Sequence, residues 1–182
     1  SVADACLVEP LAVAAHGLRM LPLKPNSRVA IIGAGAVGLA VAAMLTPHVK
    51  TVDIAARHAA QMLAAERIGA HLSPTGEYDF VVECAGNSAA LQQAASLCKP
   101  GATILLLATY WQGVTLPAFE VSMKALRIYA SSMYDRLGLV RDVDVAAQLL
   151  AQRPELPDIL ITHRLPLDAA AEAFAIAANR EA

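Results

Sequence analysis

The stretch Arg28-Val29-Ala30-Ile31-Ile32-Gly33-Ala34-Gly35-Ala36-Val37-Gly38 decides the fold. Val29 to Ile32 is a short apolar run, as in a parallel strand buried on both faces. Gly33, Gly35 and Gly38 follow as G-x-G-x-x-G, and Leu39 to Leu45 continues as an alanine-rich helix. In such a strand–turn–helix each glycine has its own task. Gly33 allows the tight turn out of the strand. Gly35 lets the backbone come close to a pyrophosphate, and Gly38 lets the helix pack on the strand. The N–H groups of Ala36, Val37 and Gly38 then stand unpaired at a helix N-terminus, where the macrodipole favours negative charge. The motif alone is a weak signal, but between a strand and a helix it marks a dinucleotide-binding turn.

A membrane span is the competing reading, because no Asp, Glu, Lys or Arg lies between Val29 and Val49. A spanning helix needs about 20 predominantly apolar residues. Three glycines and Pro47 interrupt this stretch, and charge resumes at Lys50 and Asp53. The dinucleotide reading stands.

A chain of 182 residues is one domain by the usual prior. Fourteen Lys and Arg against sixteen Asp and Glu give a net charge of −2 without a basic run. That balance argues against nucleic acid and an anionic membrane as partners. Cys6, Cys84 and Cys98 are far apart, with no C-x-x-C pair, so they read as neither a disulfide framework nor a zinc knuckle. Asp4 and Glu9 in the first ten residues do not fit a signal peptide, and the expected compartment is a reducing cytoplasm. The apolar fraction of 57% is high, against about 45–50% in ordinary domains. Strands buried on both faces account for part of it, and a surface built against another domain accounts for the rest.

Alternating β and α signals predict a doubly wound α/β fold with a six-stranded parallel sheet. After the opening unit, strands are expected at 49–55, 70–72, 80–84, 103–108 and 126–131. Helices are expected at 57–68, stopped by Gly69, and from Asn87 or Ser88 to Cys98, stopped by Lys99-Pro100-Gly101. A helix near 140–151, a strand near 159–162 and a final helix from Leu167 to Asn179, capped near Asp168, form a C-terminal strand–helix extension. A helix over 8–21 precedes the first strand, and Lys24-Pro25-Asn26-Ser27 makes the turn between them.

Several stretches together resemble the coenzyme-binding half of the medium-chain, zinc-type alcohol dehydrogenases, near the sorbitol and threonine dehydrogenase branches. They include Glu9-Pro10-Leu11-Ala12-Val13-Ala14-Ala15-His16, the turn above, Glu66-Arg67-Ile68-Gly69-Ala70, Phe80-Val81-Val82-Glu83-Cys84-Ala85-Gly86-Asn87, Lys99-Pro100-Gly101-Ala102 and Ile161-Thr162-His163-Arg164-Leu165-Pro166-Leu167. The resemblance implies a Rossmann domain over residues 28–182, preceded by an interdomain helical segment over 1–27. It implies hydride transfer between a small alcohol or polyol and a nicotinamide dinucleotide. The family's N-terminal domain, which supplies the catalytic zinc ligands, has no counterpart here, and neither does its terminal strand. The expectation is a chain trimmed to the coenzyme-binding domain and inactive by itself. A stand-alone domain that senses dinucleotides without chemistry is the alternative.

The resemblance also assigns residues. Glu9 matches a glutamate that points at the catalytic zinc in the intact enzyme; otherwise it is a helix N-terminal carboxylate favoured by the dipole. His16, two turns on, reads as a polar helix residue at the domain junction. An acid at the tip of the second strand binds the ribose of NAD, whereas a neutral residue beside an Arg admits the 2′-phosphate of NADP. Asp53 has the nominal spacing from Gly33, but the strand-like Ile54 and Ala55 follow it. Counting back from Gly69-Ala70 puts Ala56 at the tip, followed by Arg57 and His58, which favours NADP over NAD. Ala85 and Gly86 match the adenosine-side turn. Thr109 and Ser132 match positions beside the nicotinamide after the fifth and sixth strands. Cys84 reads as a buried apolar residue, and Trp111 either lines the substrate entrance or packs. The segment from Val114 to Phe119 matches a strand that pairs across a twofold axis, which implies a homodimer.

Overall fold

The computed structural model describes residues 2–178. Six parallel strands form one sheet: β1 (Arg28–Ile32), β2 (Thr51–Ala55), β3 (His71–Leu72), β4 (Tyr78–Glu83), β5 (Cys98–Leu106) and β6 (Arg127–Ala130). Their order is β3-β2-β1-β4-β5-β6, the doubly wound order whose direction of winding reverses between β1 and β4. The register pairs Ile32 with Ala55 on one side and with Glu83 on the other, so three strand ends meet at that reversal.

The apolar run of β1 is explained by its two neighbours. Val29 and Ile31 face the layer containing α1 (Val8–Leu18), α2 (Ala36–Leu45) and α3 (Ala59–Ile68). Ala30 and Ile32 face the opposite layer, built on α4 (Ser88–Leu97). Strict alternation would expose one of these sets; burial on both faces requires the unbroken run. A 3-10 turn over Val2–Leu7 leads into α1, which packs on α2 and on α6 (Asp142–Gln152). The segment before β1 is therefore integral to one helical layer.

Expected turns form as the residues dictate. Gly69 closes α3 in the left-handed region at φ 96°. The Asn87 side chain accepts from the Ala90 N–H and caps α4. Elsewhere the structure corrects the sequence reading. The helix ends at Leu97 as expected, but β5 starts at once, so Lys99-Pro100-Gly101 lies inside it, where the register shifts between Tyr78 and Phe80. The strand expected near 159–162 is absent: Leu156–Leu160 is a short helix, α7, with Pro157 in its first turn. Leu156 and Ile159 are its buried residues, a helical spacing that the short apolar run disguised. The C-terminal extension is consequently helix–loop–helix, ending in α8 (Ala170–Ala178) after a 3-10 turn over Leu167–Ala169. Asn179, expected to end that helix, lies outside the described residues.

Two other corrections concern the far edge of the sheet. The segment expected to be a strand from Val114 to Phe119 is irregular over 114–117, and Phe119 lies in α5 (Ala118–Met123) with Pro117 as its N-cap. Within one chain β6 already occupies the edge of β5, and the Thr115 N–H donates to Ser88 Oγ at 3.0 Å. The start expected for the helix at 140 is a small antiparallel hairpin instead, β7 (Arg136–Leu137) with β8 (Val140–Arg141), turning at Gly138 with φ 61°. Among the described residues no helix is long and apolar enough to cross a membrane.

Candidate functional site

The carboxyl ends of β1, β2 and β4 open onto a cleft of about 1000 Å³. Gly33, Gly35, Ala36, Ala56, Arg57, His58 and Ala85 all line it. The three glycines meet three different surroundings. Gly33 has φ 104°, a conformation for which side chains are strained. An added Cβ on Gly38 would collide with the Gly33 carbonyl oxygen. Around Gly35 there is open space, with nothing within 4 Å of a Cβ built there. Gly35 is the N-cap of α2 and brings no side-chain cap, so N–H groups of the first turn have no intrahelical acceptor. An all-apolar helix thus presents bare donors and the positive end of its dipole to the cleft.

The end of β2 sets the second part of the site. Asp53 pairs in register with Ala30 and His71, below the strand end, and its carboxylate accepts a hydrogen bond from the Tyr78 hydroxyl. It does not line the cleft. Ala56 is the neutral residue beyond the strand end. Arg57 is exposed beside it and makes no side-chain hydrogen bond or ion pair among the described residues. Gln61 Oε1 accepts from the N–H groups of Arg57 and His58 at 3.3 and 3.4 Å and fixes the turn that carries them.

Glu83 ends β4 at the reversal of strand order and is fully buried. Its Oε1 accepts from the Ala85 and Gly86 N–H groups at 2.8 and 2.9 Å, and its Oε2 accepts from the Tyr110 hydroxyl. Burial first, and then the hydrogen bond and charge of Glu83, raise the Tyr110 hydroxyl far above the ordinary tyrosine range. Gly86 has φ 71°, and a Cβ there would lie 3.2 Å from the Thr109 carbonyl oxygen. Cys84 lines the cleft, but burial and the neighbouring Glu83 charge hold its thiol protonated, so it is no nucleophile.

Thr109 and Ser132 stand exposed beyond the carboxyl ends of β5 and β6, whose ladder continues through Ser131 N–H to the Leu106 oxygen at 3.0 Å. They share the sheet edge with the cleft but do not line it, and neither do Val37, Gly38 and Gly86. Trp111 is 91% exposed and packs against little. Glu9 is exposed on the first turn of α1, next to Pro10, which does line the cleft. The His16 Nδ1–H donates to the Asp142 carboxylate at 2.9 Å, at the α1–α6 contact. Asp142 is fully buried and also holds Arg19 and the Asp135 N–H. Among the described residues no three His, Cys, Asp or Glu side chains come together to hold a metal. A catalytic zinc needs three protein ligands, so the described residues do not fit one.

Sequence reasoning missed Gln61 and the full role of Glu83. A Gln three residues after a helix N-cap was the legible signal for the first. For the second, the signal was a carboxylate at the end of a wholly apolar strand.

Known proteins agree with this geometry. A family model described as "Zinc-binding dehydrogenase" matches residues 29–152. Sorbitol dehydrogenase of Macaca fascicularis is 28% identical over 193 residues, which cover 94% of this chain and 52% of that protein. The chain spans about half the length of the curated relatives it matches. A zinc-binding dehydrogenase of Sinorhizobium meliloti 1021, solved with NADP bound, superposes with a TM-score of 0.79 at 27% identity, covering 96% of this chain and 55% of that one. The short chain alcohol dehydrogenase of Escherichia coli CFT073, solved with NADH, superposes with a TM-score of 0.81 at 22% identity, covering 95% and 55%. With a G-x-G-x-x-G turn, the β3-β2-β1-β4-β5-β6 sheet and a family model matched over most of its length, this chain belongs to the zinc-binding dehydrogenase family.

Proposed function

We propose that this chain is the coenzyme-binding part of an NAD(P)-dependent zinc-type alcohol or polyol dehydrogenase, and that it prefers NADP. The observation that carries the reading is the uncapped N-terminus of α2 behind Gly35, open to the cleft. The α2 N–H groups take the pyrophosphate, and Gly35 keeps its path clear. Arg57 and His58 take the 2′-phosphate, for which Ala56 leaves room. Ala85 and Gly86 permit close backbone approach, and Thr109 and Ser132 border the nicotinamide end. Bound nicotinamide accepts or delivers a hydride. The residues of this chain orient the dinucleotide across the sheet edge and wall the cleft; hydride transfer from an alcohol requires protein beyond them.

NADP is favoured because Asp53 is engaged by Tyr78 away from the strand tip, while Arg57 has no partner among the described residues. One solved relative holds NADP and another NADH; in doubly wound folds an acid at the tip of β2 suits NAD and a neutral residue beside an Arg suits NADP. Self-association through the segment from Val114 to Phe119 and residence in a reducing cytoplasm complete the reading; Cys6, Cys84 and Cys98 are free thiols. Calorimetry of the chain with NADPH and NADH tests it. Saturable binding of both, tighter for NADPH, is expected. Absence of binding to either dinucleotide overturns the reading.

A further inference from the structure

We propose that Asp142 is a positioning residue: it pins the loop leaving β6, which carries Ser132, to helix α1, and so sets the nicotinamide end of the dinucleotide site. The inference rests on the dinucleotide reading above. In a doubly wound sheet the ligand crosses the reversal of strand order, one mononucleotide half on each side. In that reading Arg57 beyond β2 and the Ala85–Gly86 turn serve the adenosine half. The loops beyond β5 and β6, with Thr109 and Ser132, are left for the nicotinamide half.

Asp142 is the first residue of α6 and is fully buried. A buried carboxylate is expensive unless its charge is met and its oxygens are hydrogen-bonded. Here the donors come from two directions. The His16 Nδ1–H, at 2.9 Å, and the Arg19 guanidinium reach it from α1. The Asp135 N–H reaches it from the β6 loop, also at 2.9 Å. The Asp142 N–H donates in return to the Asp135 carbonyl oxygen at 3.0 Å and closes the β7–β8 hairpin at its base. Residues 132–141 are all exposed. The loop therefore owes its position to its two ends, the β6 ladder at Ser131 and the Asp142 carboxylate.

Helix α1 is the fixed side of this contact. A Cβ on Gly17, next to His16, would lie 2.5 Å from Leu107 Cδ2 and 3.4 Å from Ser131 Oγ. Leu107 and Ser131 are the residues at which the chain leaves β5 and β6, so α1 lies under both exits. The same helix brings Pro10 and Leu11 to the cleft. One carboxylate thus ties the Ser132 loop to a helix that already lines the dinucleotide site.

The test separates the halves of the ligand. NADPH and the fragment 2′,5′-ADP are titrated by calorimetry against wild type, Asp142→Asn, His16→Phe and His16→Asn. Asp142→Asn removes the anion. Should that variant not fold, His16→Phe carries the test, because the His16 side chain is 28% exposed and has room for the ring. Asp142→Asn and His16→Phe are expected to keep 2′,5′-ADP affinity within about twofold and to lose about tenfold for NADPH, the effect of one charge-assisted bond. His16→Asn places an amide N–H where the Nδ1–H stood, and is expected to recover most of that loss.

Equal losses for NADPH and 2′,5′-ADP, no loss for either, or a His16→Asn as weak as His16→Phe overturn the positioning role while leaving the dinucleotide reading intact. A wild type that binds neither ligand overturns that reading, and this inference with it.

Discussion

At the residue scale, two glycines three positions apart separate folding from binding. Gly38 has no room for a Cβ, because the Gly33 carbonyl oxygen occupies its place. Gly38→Ala must push α2 off β1, and overpacking of this kind costs about 1–3 kcal/mol. Gly35 has ordinary backbone angles, φ −78° and ψ −171°, and open space around it. Gly35→Val therefore leaves the melting temperature nearly unchanged but puts a side chain where the pyrophosphate approaches. The expected pattern is lower stability in thermal melts for Gly38→Ala and lost NADPH binding in calorimetry for Gly35→Val. Unchanged affinity in Gly35→Val would remove the turn from the site. Tyr78 supplies a second residue-scale expectation. Burial, then the hydrogen bond and charge of Asp53, push its hydroxyl up to about 12, whereas unfolded tyrosine ionises near ~10. Between those values the folded chain keeps a proton that the unfolded chain has lost. Stability is whole below about pH 10 and falls as pH rises toward about 12. The loss is about 2–3 kcal/mol, at ~1.4 kcal/mol per unit. Urea melts across that window should show a steeper decline for wild type than for Tyr78→Phe; equal slopes would mean that Tyr78 ionises freely in the folded chain.

At the element scale, the proposed coenzyme preference is tested at the turn from β2 into α3. Arg57 is exposed and its side chain has no hydrogen-bond or ion-pair partner among the described residues, so removing it disturbs little packing. A charge-assisted contact to phosphate is worth about 1.5–3 kcal/mol, so Arg57→Ala should cut the preference for NADPH over NADH about tenfold or more. An unchanged ratio, with NADH binding abolished instead by Asp53→Ala, would move the ribose site to Asp53 and make the coenzyme NAD. This element was legible in the sequence because its determinants are local: the motif, the alternation of β2 and the Gly69 stop all act within a few residues. The same holds for the Asn87 cap. What was not legible depends on distant partners. His16 looks like a junction residue until Asp142, 126 positions away, folds against it. Asp53 matches the motif spacing, and only Tyr78 from β4 shows that its carboxylate is engaged below the strand tip. The run from Leu156 to Ile161 is too short for periodicity to distinguish a strand from a helix, and Pro157 at the start of a turn resolved it as helix.

At the scale of the whole molecule, one group of exposed apolar residues lies on the segment that leads into β6. Leu116 is 49%, Phe119 75% and Met123 71% exposed, and Tyr129 of the edge strand β6 is exposed too. An open strand edge next to such residues is a liability unless something covers it. A twofold mate would cover it economically, since an isologous contact presents the same apolar patch from both sides. The irregular conformation over 114–117 does not oppose this, because a strand that pairs only across a twofold axis has no ladder within one chain. Pro117 is tolerated at such an edge. Sedimentation equilibrium of the chain should therefore give a dimer. The double variant Leu116→Lys with Phe119→Lys should give a monomer, since four like charges would meet across the axis. Both side chains are solvent-exposed in the single chain, so the variant should keep its melting temperature and its affinity for NADPH. A substitution at Thr115 would be less clean, because its N–H is already held by Ser88. A monomeric wild type defeats the prediction outright, and a dimer that survives the double variant places the contact on another face.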